Sequence, residues 1–333
     1  MKKIALIYGG DSSEWGISVL SGKFVATCLD PARYEVTELL LRNGQWSVCD
    51  PAVKDVAVPV KPFLPSDLKR FDVAMIMIHG TPGENGILQA ELEKHEVPFT
   101  TCSSRVSAIT FDKHACKKAM RGLGIPLAPE LFLHKGEVFN PEEVVEKLGL
   151  PVFVKPNDGG SSFGVTKVKR QEDLAAAVAN AFSESDDVLI ESYIPGRELT
   201  EGVFNRRGEV IPLPVTEIIP HNEYFDYEAK YLGKSDEVCP APITPEQAQV
   251  VREQTRRIYQ HFGCRGLIRC DYIMTESGKV YFLEINPIPG MTKMSLVPAQ
   301  IRAAGLQVPD VLDCLIEEAL AQAEPQGLEV SCP

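Results

Sequence analysis

No CxxC pair and no HExxH helix occurs anywhere in the 333 residues, so the usual spacings of a zinc site and of a zinc hydrolase are missing. The nine cysteines are scattered and odd in number. They read as reduced, small core residues rather than a disulfide framework. Positive charge is also scarce: 34 lysines and arginines face 46 aspartates and glutamates, a net charge of −12. So acidic a chain is poorly suited to coat nucleic acid or an anionic membrane, yet one basic pocket for an anionic ligand remains compatible with it. Long apolar runs are lacking too. In "MKKIALIYGG" two lysines precede an apolar run that ends in Gly9 and Gly10. That run is too short for a signal sequence or a membrane span and fits a first β-strand. The sequence contains neither an internal repeat nor a low-complexity tract, and the expected setting is the cytoplasm.

What is present fills two or three domains: 44% of residues are hydrophobic and 24% charged, the balance of an ordinary globular protein. Strands are expected at 3–8, 34–41, 72–78 and 97–100, alternating with helices at 16–29 and 87–95. Such alternation implies parallel β-α-β units, and the continuous apolar runs imply a sheet covered on both faces. This first domain is placed at residues 1–103. A second, α+β unit is expected over 104–196, with helices at 112–122, 141–148 and 171–182 and strands at 129–134, 151–155, 164–168 and 187–194. The third, 197–333, begins with long strands ("RELTEGVF", "EVIPLPVTEII") and continues through a polar loop at 221–243, a helix at 245–262, a hairpin ("GLIRCDYIM", "KVYFLEIN") and two closing helices. A loop as long as 221–243 usually moves or binds something.

Four stretches carry chemistry. "KPNDGGSSFG" (155–164) sets Lys155 before a run of Gly159, Gly160, Ser161 and Ser162. Backbone N–H groups freed by such a loop can converge on a phosphate, with the lysine as a point charge; an ordinary surface hairpin is the other reading. It is not a Walker A loop, in which the lysine follows the glycines. In the last hairpin, period-2 alternation puts Glu284 and Asn286 on one face, where a paired strand can bring Asp271 beside them and Arg269 nearby. Three oxygen donors of this kind suit Mg²⁺ shared with phosphate, the alternative being a solvated outer face. Lys113 and Lys230 could join Lys155 on the same anion, while Glu191 and Glu198 stand where a nucleoside could lie, or simply face solvent. In "GGDSSEWGIS" Glu14 either caps a helix or meets an ammonium group, and His79 ends an apolar strand at the carboxyl edge of the sheet, where open α/β folds bind ligands.

Taken in order, "GGDSSEWGIS", "HGTPGENGILQ", the "DK" at 112–113, "VFVKPNDGGSSFGV", "YEAKYL", "RCDYIM" and "FLEINPIPGMTKMSLVP" resemble the D-alanine:D-alanine ligase family of the ATP-grasp superfamily. The resemblance implies a three-domain ATP-grasp fold, α/β and α+β, with an N-terminal parallel-sheet domain. It implies an enzyme that uses ATP and two Mg²⁺ ions, or Mn²⁺, to join two D-alanines through an acyl phosphate for peptidoglycan precursors, acting as a homodimer. Carried over residue by residue, Glu14 holds the first substrate's ammonium and His79 lies near its carboxylate. Lys113, Lys155, Ser161, Ser162 and Lys230 contact the ATP phosphates, and Glu191 and Glu198 the nucleoside. Asp271, Glu284 and Asn286 hold metal. Arg269 and the Gly290 backbone stabilise the oxyanion, Ser295 receives the second carboxylate, and Ser161 and Tyr231 bridge the loops to Glu14. Tyr231 in "KYL" favours an amine over D-lactate, because a neutral phenol does not repel an incoming ammonium as a histidine cation would. The alternatives are a relative using D-lactate or D-serine second, or a nucleotide sensor without turnover. Three positions depart from the family pattern: Trp15, Ser192 and Pro287, the last removing an N–H donor on the path to Gly290.

Overall fold

The structure, a computed structural model, describes residues 1–160, 163–221 and 235–323. Ser161, Ser162, Lys230 and Tyr231, named above, lie outside the described residues, as does most of the expected 221–243 loop.

The N-terminal part runs β1 (Lys2–Gly9), α1 (Trp15–Cys28), β2 (Tyr34–Arg42), β3 (Gln45–Cys49), β4 (Pro59–Pro62), β5 (Val73–Met77) and α2 (Ile87–Lys94). Its sheet has the order β4-β3-β2-β1-β5. Strand β1 is parallel to both β2 and β5, whereas β3 and β4 add on antiparallel. The sheet is therefore mixed where a parallel one was expected, and the strand expected at 97–100 is reduced to a single bridge from Phe99 to Ala74. Strands β1 and β5 are buried almost throughout, which accounts for their unbroken apolar runs. Helix α1 lies close on the sheet because Gly22 has no side chain: a Cβ there would sit 2.2 Å from the Tyr8 ring.

Then follow α3 (Ser104–Phe111), α4 (Lys113–Met120), β6 (Glu130–His134), α5 (Pro141–Leu148), β7 (Val152–Pro156), β8 (Thr166–Val168), α6 (Leu174–Ala181) and β9 (Asp187–Ser192). The strands form an antiparallel sheet in the order β6-β9-β7-β8. Helices α5 and α6 bury Val144, Leu174 and Val178 with Val152, Val154 and Ile190 of this sheet. The hairpin β7–β8 carries the glycine-rich loop at its tip.

The remainder comprises β10 (Arg197–Arg206), β11 (Glu209–Pro212), β12 (Thr216–Pro220), β13 (Ser235–Val238), α7 (Pro245–Phe262), β14 (Ile268–Met274), β15 (Val280–Asn286), α8 (Leu296–Ala303) and α9 (Val308–Ala323). The six strands form one sheet. The stretch read as one long strand, 209–219, is two, parted at Leu213–Val215 where Pro214 can donate no hydrogen bond to a ladder. Helix α9 does not stay with this sheet alone. Its Val311, Leu312, Leu315 and Ile316 share one core with Ile4, Leu6, Tyr8 and Met75 of the N-terminal sheet and with Phe204 of β10.

Candidate active site

Two cavities, of about 660 and 400 Å³, open between these sheets and meet at Lys113, Gly159, Gly160 and Glu284, which line both. The larger is further lined by Glu14, His79, Glu84, Arg269, Asn286, Gly290 and Ser295. The smaller is lined by Lys155, Glu191, Ser192 and Glu198 among apolar Phe153, Phe163, Ile194 and Leu283. Every described residue given a site role in the sequence thus borders at least one cavity, save Asp271, which lies directly behind Arg269 and Asn286.

The hairpin β14–β15 builds the polar wall. Its register sets Asp271 opposite Glu284 and Arg269 opposite Asn286, the arrangement that alternation in the two strands predicts. Asp271 is buried and heavily engaged. Arg269 donates to it in a fork, Nε to Oδ1 at 2.9 Å and Nη2 to Oδ2 at 2.7 Å. Thr200 Oγ1 donates at 2.6 Å and Asn286 Nδ2 at 2.9 Å. Since Asn286 spends its amide nitrogen on Asp271, its carbonyl oxygen is the end available to a cation. Two carboxylates and one amide oxygen from adjacent strands form a hard donor set that fits a small divalent ion sharing phosphate oxygens. No cluster of three or more His, Cys, Asp or Glu with metal-binding geometry occurs among the described residues, so such an ion would draw on Asn286 and on the phosphates themselves.

Glu14 precedes α1 as its N-cap position, but its side chain makes no capping bond. It faces the cavity instead, and the phosphate-type loop comes to meet it: a Cβ on Gly160 would lie 2.6 Å from Glu14 Oε2. His79 is buried, and both ring nitrogens are engaged. Nδ1 lies 2.8 Å from the Ile288 carbonyl and Nε2 2.9 Å from Ser21 Oγ. A carbonyl can only accept, so Nδ1 carries the proton and Nε2 accepts from the serine. Burial pushes the imidazole below its ordinary value, only partly opposed by the Glu14 charge. His79 is thus a neutral tie joining β5, α1 and the 287–290 turn. Ser295 Oγ receives the Thr292 N–H at 3.0 Å, and a Cβ on Gly290 would come within 3.0 Å of that oxygen. Pro287 lines the larger cavity.

On the other side, Lys113 Nζ donates to the Gly159 carbonyl at 2.9 Å, tying α4 to the glycine-rich loop. Lys155 forms an ion pair with Glu191.

Sequence reading missed several buried titratable groups here, two of which bear on the charges of the site. Glu84 accepts the Gly80 N–H at 2.9 Å on the wall of the larger cavity. Burial, reinforced by the Glu14 charge, raises its carboxyl above the ordinary range. Its signal was its place in "HGTPGENG", among residues otherwise read as a turn. Lys117, the other, is 3% exposed and pairs with Glu130 at 2.7 Å and with Glu191.

Comparison with known proteins agrees with this geometry. The D-ala D-ala ligase N-terminus family matches residues 3–102, and the D-ala D-ala ligase C-terminus family matches 119–317. The chain is 45% identical over 319 residues to a D-alanine–D-alanine ligase of Phocaeicola vulgatus, covering 95% of this chain and 98% of that protein. It is 42% identical over 322 residues to one of Parabacteroides distasonis, covering 96% and 98%. Among solved structures, the D-alanine-D-alanine ligase of Coxiella burnetii superposes with a TM-score of 0.84 at 27% identity, over 97% of this chain and 94% of that one. The VanG D-Ala:D-Ser ligase of Enterococcus faecalis gives 0.81 at 30% identity, over 96% and 99%. With two family halves matched in order and full-length relatives above 40% identity, this chain belongs to the D-alanine–D-alanine ligase family and has its ATP-grasp fold.

Proposed function

We propose that the two cavities are the amino-acid and nucleotide halves of one ligation site, meeting where phosphate is transferred. The observation that carries this reading is their junction: Lys113 and Glu284 line both cavities, so a triphosphate reaching from the smaller would present its end to the larger. The chain is an ATP-dependent ligase that joins two D-alanines for peptidoglycan synthesis. In our reading the first D-alanine rests with its ammonium on Glu14 and its carboxylate towards Arg269. That carboxylate attacks the γ-phosphate, breaking its bond to ADP to give an acyl phosphate and ADP. The second D-alanine, held through its carboxylate at Ser295, attacks the acyl carbon as the free amine, its ammonium having given up a proton, and displaces phosphate.

For this the protein supplies position and charge rather than covalent chemistry. Lys113 and Lys155 neutralise phosphate oxygens. The Arg269–Asp271 fork fixes the guanidinium where negative charge develops on the tetrahedral carbon's oxygen, and the Gly290 N–H adds a second donor. Glu191 and Glu198 flank the nucleoside, between the apolar walls of the smaller cavity. Use of a divalent metal goes with the family; we assign two Mg²⁺, replaceable by Mn²⁺, to Asp271, Glu284 and Asn286. When bound, the metal neutralises charge on the phosphates. His79 acts through the Ile288 turn it holds. Ser161, Ser162, Lys230 and Tyr231, outside the described residues, complete the site in this proposal, with the 221–243 segment as its cover. The same proposal divides the chain at about residues 103 and 196, pairs it as a homodimer and places it in the cytoplasm. Among the described residues, no helix is long and apolar enough to cross a membrane.

The test is phosphate release with ATP and Mg²⁺ across a panel of D- and L-amino acids, with product analysis. D-alanine alone should drive release and yield D-alanyl-D-alanine. An equal mixture of D-alanine and D-lactate at neutral pH should still give the dipeptide. Predominance of the ester would displace this reading in favour of a D-lactate-using relative, and nucleotide binding without D-alanine-dependent phosphate would leave only a sensor.

A further inference from the structure

Lys117 lines neither cavity, yet it is the most buried lysine near the site. It lies on the inner face of α4, 3% exposed. Its ammonium donates to the Ala128 carbonyl at 3.0 Å, lies 2.7 Å from Glu130 Oε2, and pairs with Glu191 Oε1. Glu191 stands on β9 between Glu130 of β6 and Phe153 of β7. Its second oxygen, Oε2, holds Lys155. Beyond Glu130 lies His114, whose Nδ1 is 3.0 Å from Glu130 Oε1. One buried carboxylate therefore has two lysines, of which only Lys155 reaches the smaller cavity.

We propose that Lys117 is the permanent counter-ion of Glu191, a positioning residue that leaves Lys155 free to turn from the carboxylate to the phosphates of the nucleotide. The proposal rests on the nucleotide placement given above. Removing one partner from a buried ion pair leaves an uncompensated charge, which is severely penalised. If Lys155 were Glu191's sole partner, every phosphate that recruited it would impose that penalty. With Lys117 fixed on the other oxygen, Glu191 stays paired while Lys155 moves. The carboxylate's state agrees. Burial pushes Glu191 up, but Lys155 and Lys117 outweigh it and hold it down at about 2, so with both lysines in place it carries a full negative charge.

The readout is the ratio of ATP to adenosine affinity, measured by calorimetry on the full-length chain with Mg²⁺. A pocket merely distorted would lose both ligands alike; a Lys155 held back by Glu191 would cost only the ligand that carries phosphates. Lys117→Gln should lower the ratio by about 10- to 100-fold, the range expected for one charge-assisted contact. Adding Glu191→Gln should restore it, because nothing then retains Lys155. An unchanged ratio in folded Lys117→Gln overturns the proposal. Should that variant fail to fold, the neutral Lys117→Gln/Glu191→Gln pair decides: a ratio at or above the wild-type value supports the proposal, and a reduced one overturns it. Lys155→Met separates this inference from its premise. If that substitution leaves the ratio unchanged, the nucleotide placement itself is wrong; if it lowers the ratio while Lys117→Gln does not, only the role of Lys117 falls.

Discussion

Asp271 is surrounded by donors: the Arg269 fork, the Thr200 hydroxyl and the Asn286 amide all converge on its two oxygens. Asp271→Asn keeps the shape but sets an NH₂ against those donors and removes the charge that orients Arg269. Turnover should fall by roughly 100-fold or more, with unfolding by urea changed far less; near-normal dipeptide synthesis by the folded variant would eliminate the assignment. Glu201 behaves differently. It is fully buried on β10, away from both cavities, with Arg252 Nε 4.0 Å off. Burial pushes its carboxyl up to about 8, whereas in an unfolded chain it titrates near 4.3. Between those values the native state keeps a proton that the unfolded state has released, so this group's contribution makes stability fall as pH rises through that window. Glu201→Gln removes the titration. Urea unfolding should show little difference at about pH 4 and a gain on the order of 1–3 kcal/mol near pH 8.5. A gain of equal size at both pH values would mean the carboxyl is not held protonated by the fold.

Among the elements, the glycine-rich loop is set by a contact that only glycine permits. A Cβ at residue 160 would press on the end of the Glu14 side chain, which can swing aside. Gly160→Ala should therefore fold normally but raise the KM for D-alanine by about tenfold; steady-state kinetics with an unchanged KM would show that Glu14 tolerates the methyl group in place. Helix α7 offers a purely structural counterpart. Thr244 and Gln247 form a reciprocal capping box, Pro245 opens the first turn, and Gly263 ends the helix at φ 62°. Thr244→Ala should cost about 1 kcal/mol in urea unfolding and leave turnover alone. The helix expected at 245–262 coincides with α7, and cap residues of this kind mark such ends in a sequence. Strands β3 and β4 were not readable. "QWSVC" is mostly half-exposed and "PVKP" wholly exposed, so neither shows the alternation that marks a buried strand. Helix α3 has little to mark it in the sequence, being short and opened only by the Ser103 cap. At the site, Asp271, Glu284 and Asn286 were legible because strand alternation fixes their face. Lys117 was not, since its partner Glu191 is 74 positions away and nothing local distinguishes it from its neighbour Lys118.

Across the whole molecule, the shared core ties the ends of the chain together. Leu312 on α9 is fully buried in the cluster that includes Ile4, Leu6 and Met75. Leu312→Ala should cost about 2–5 kcal/mol, and the N-terminal sheet and α9 should lose hydrogen-exchange protection together; loss confined to α9 would mean the sheet is stable without it. A pattern-based division of the sequence gives no sign of this, because periodicity reports which face of an element is apolar and not which distant element will cover it. The arrangement also bears on how the protein is made. Strand β5 is complete at Met77, while the helix that joins α1 in covering this face begins at Val308. At 5–20 residues per second, the intervening 231 positions (308 − 77) take roughly 10–50 s to synthesise. For that interval α1 alone lies on this face, and the apolar area that α9 will cover stays open on the ribosome; it is then that a chaperone has most to shield.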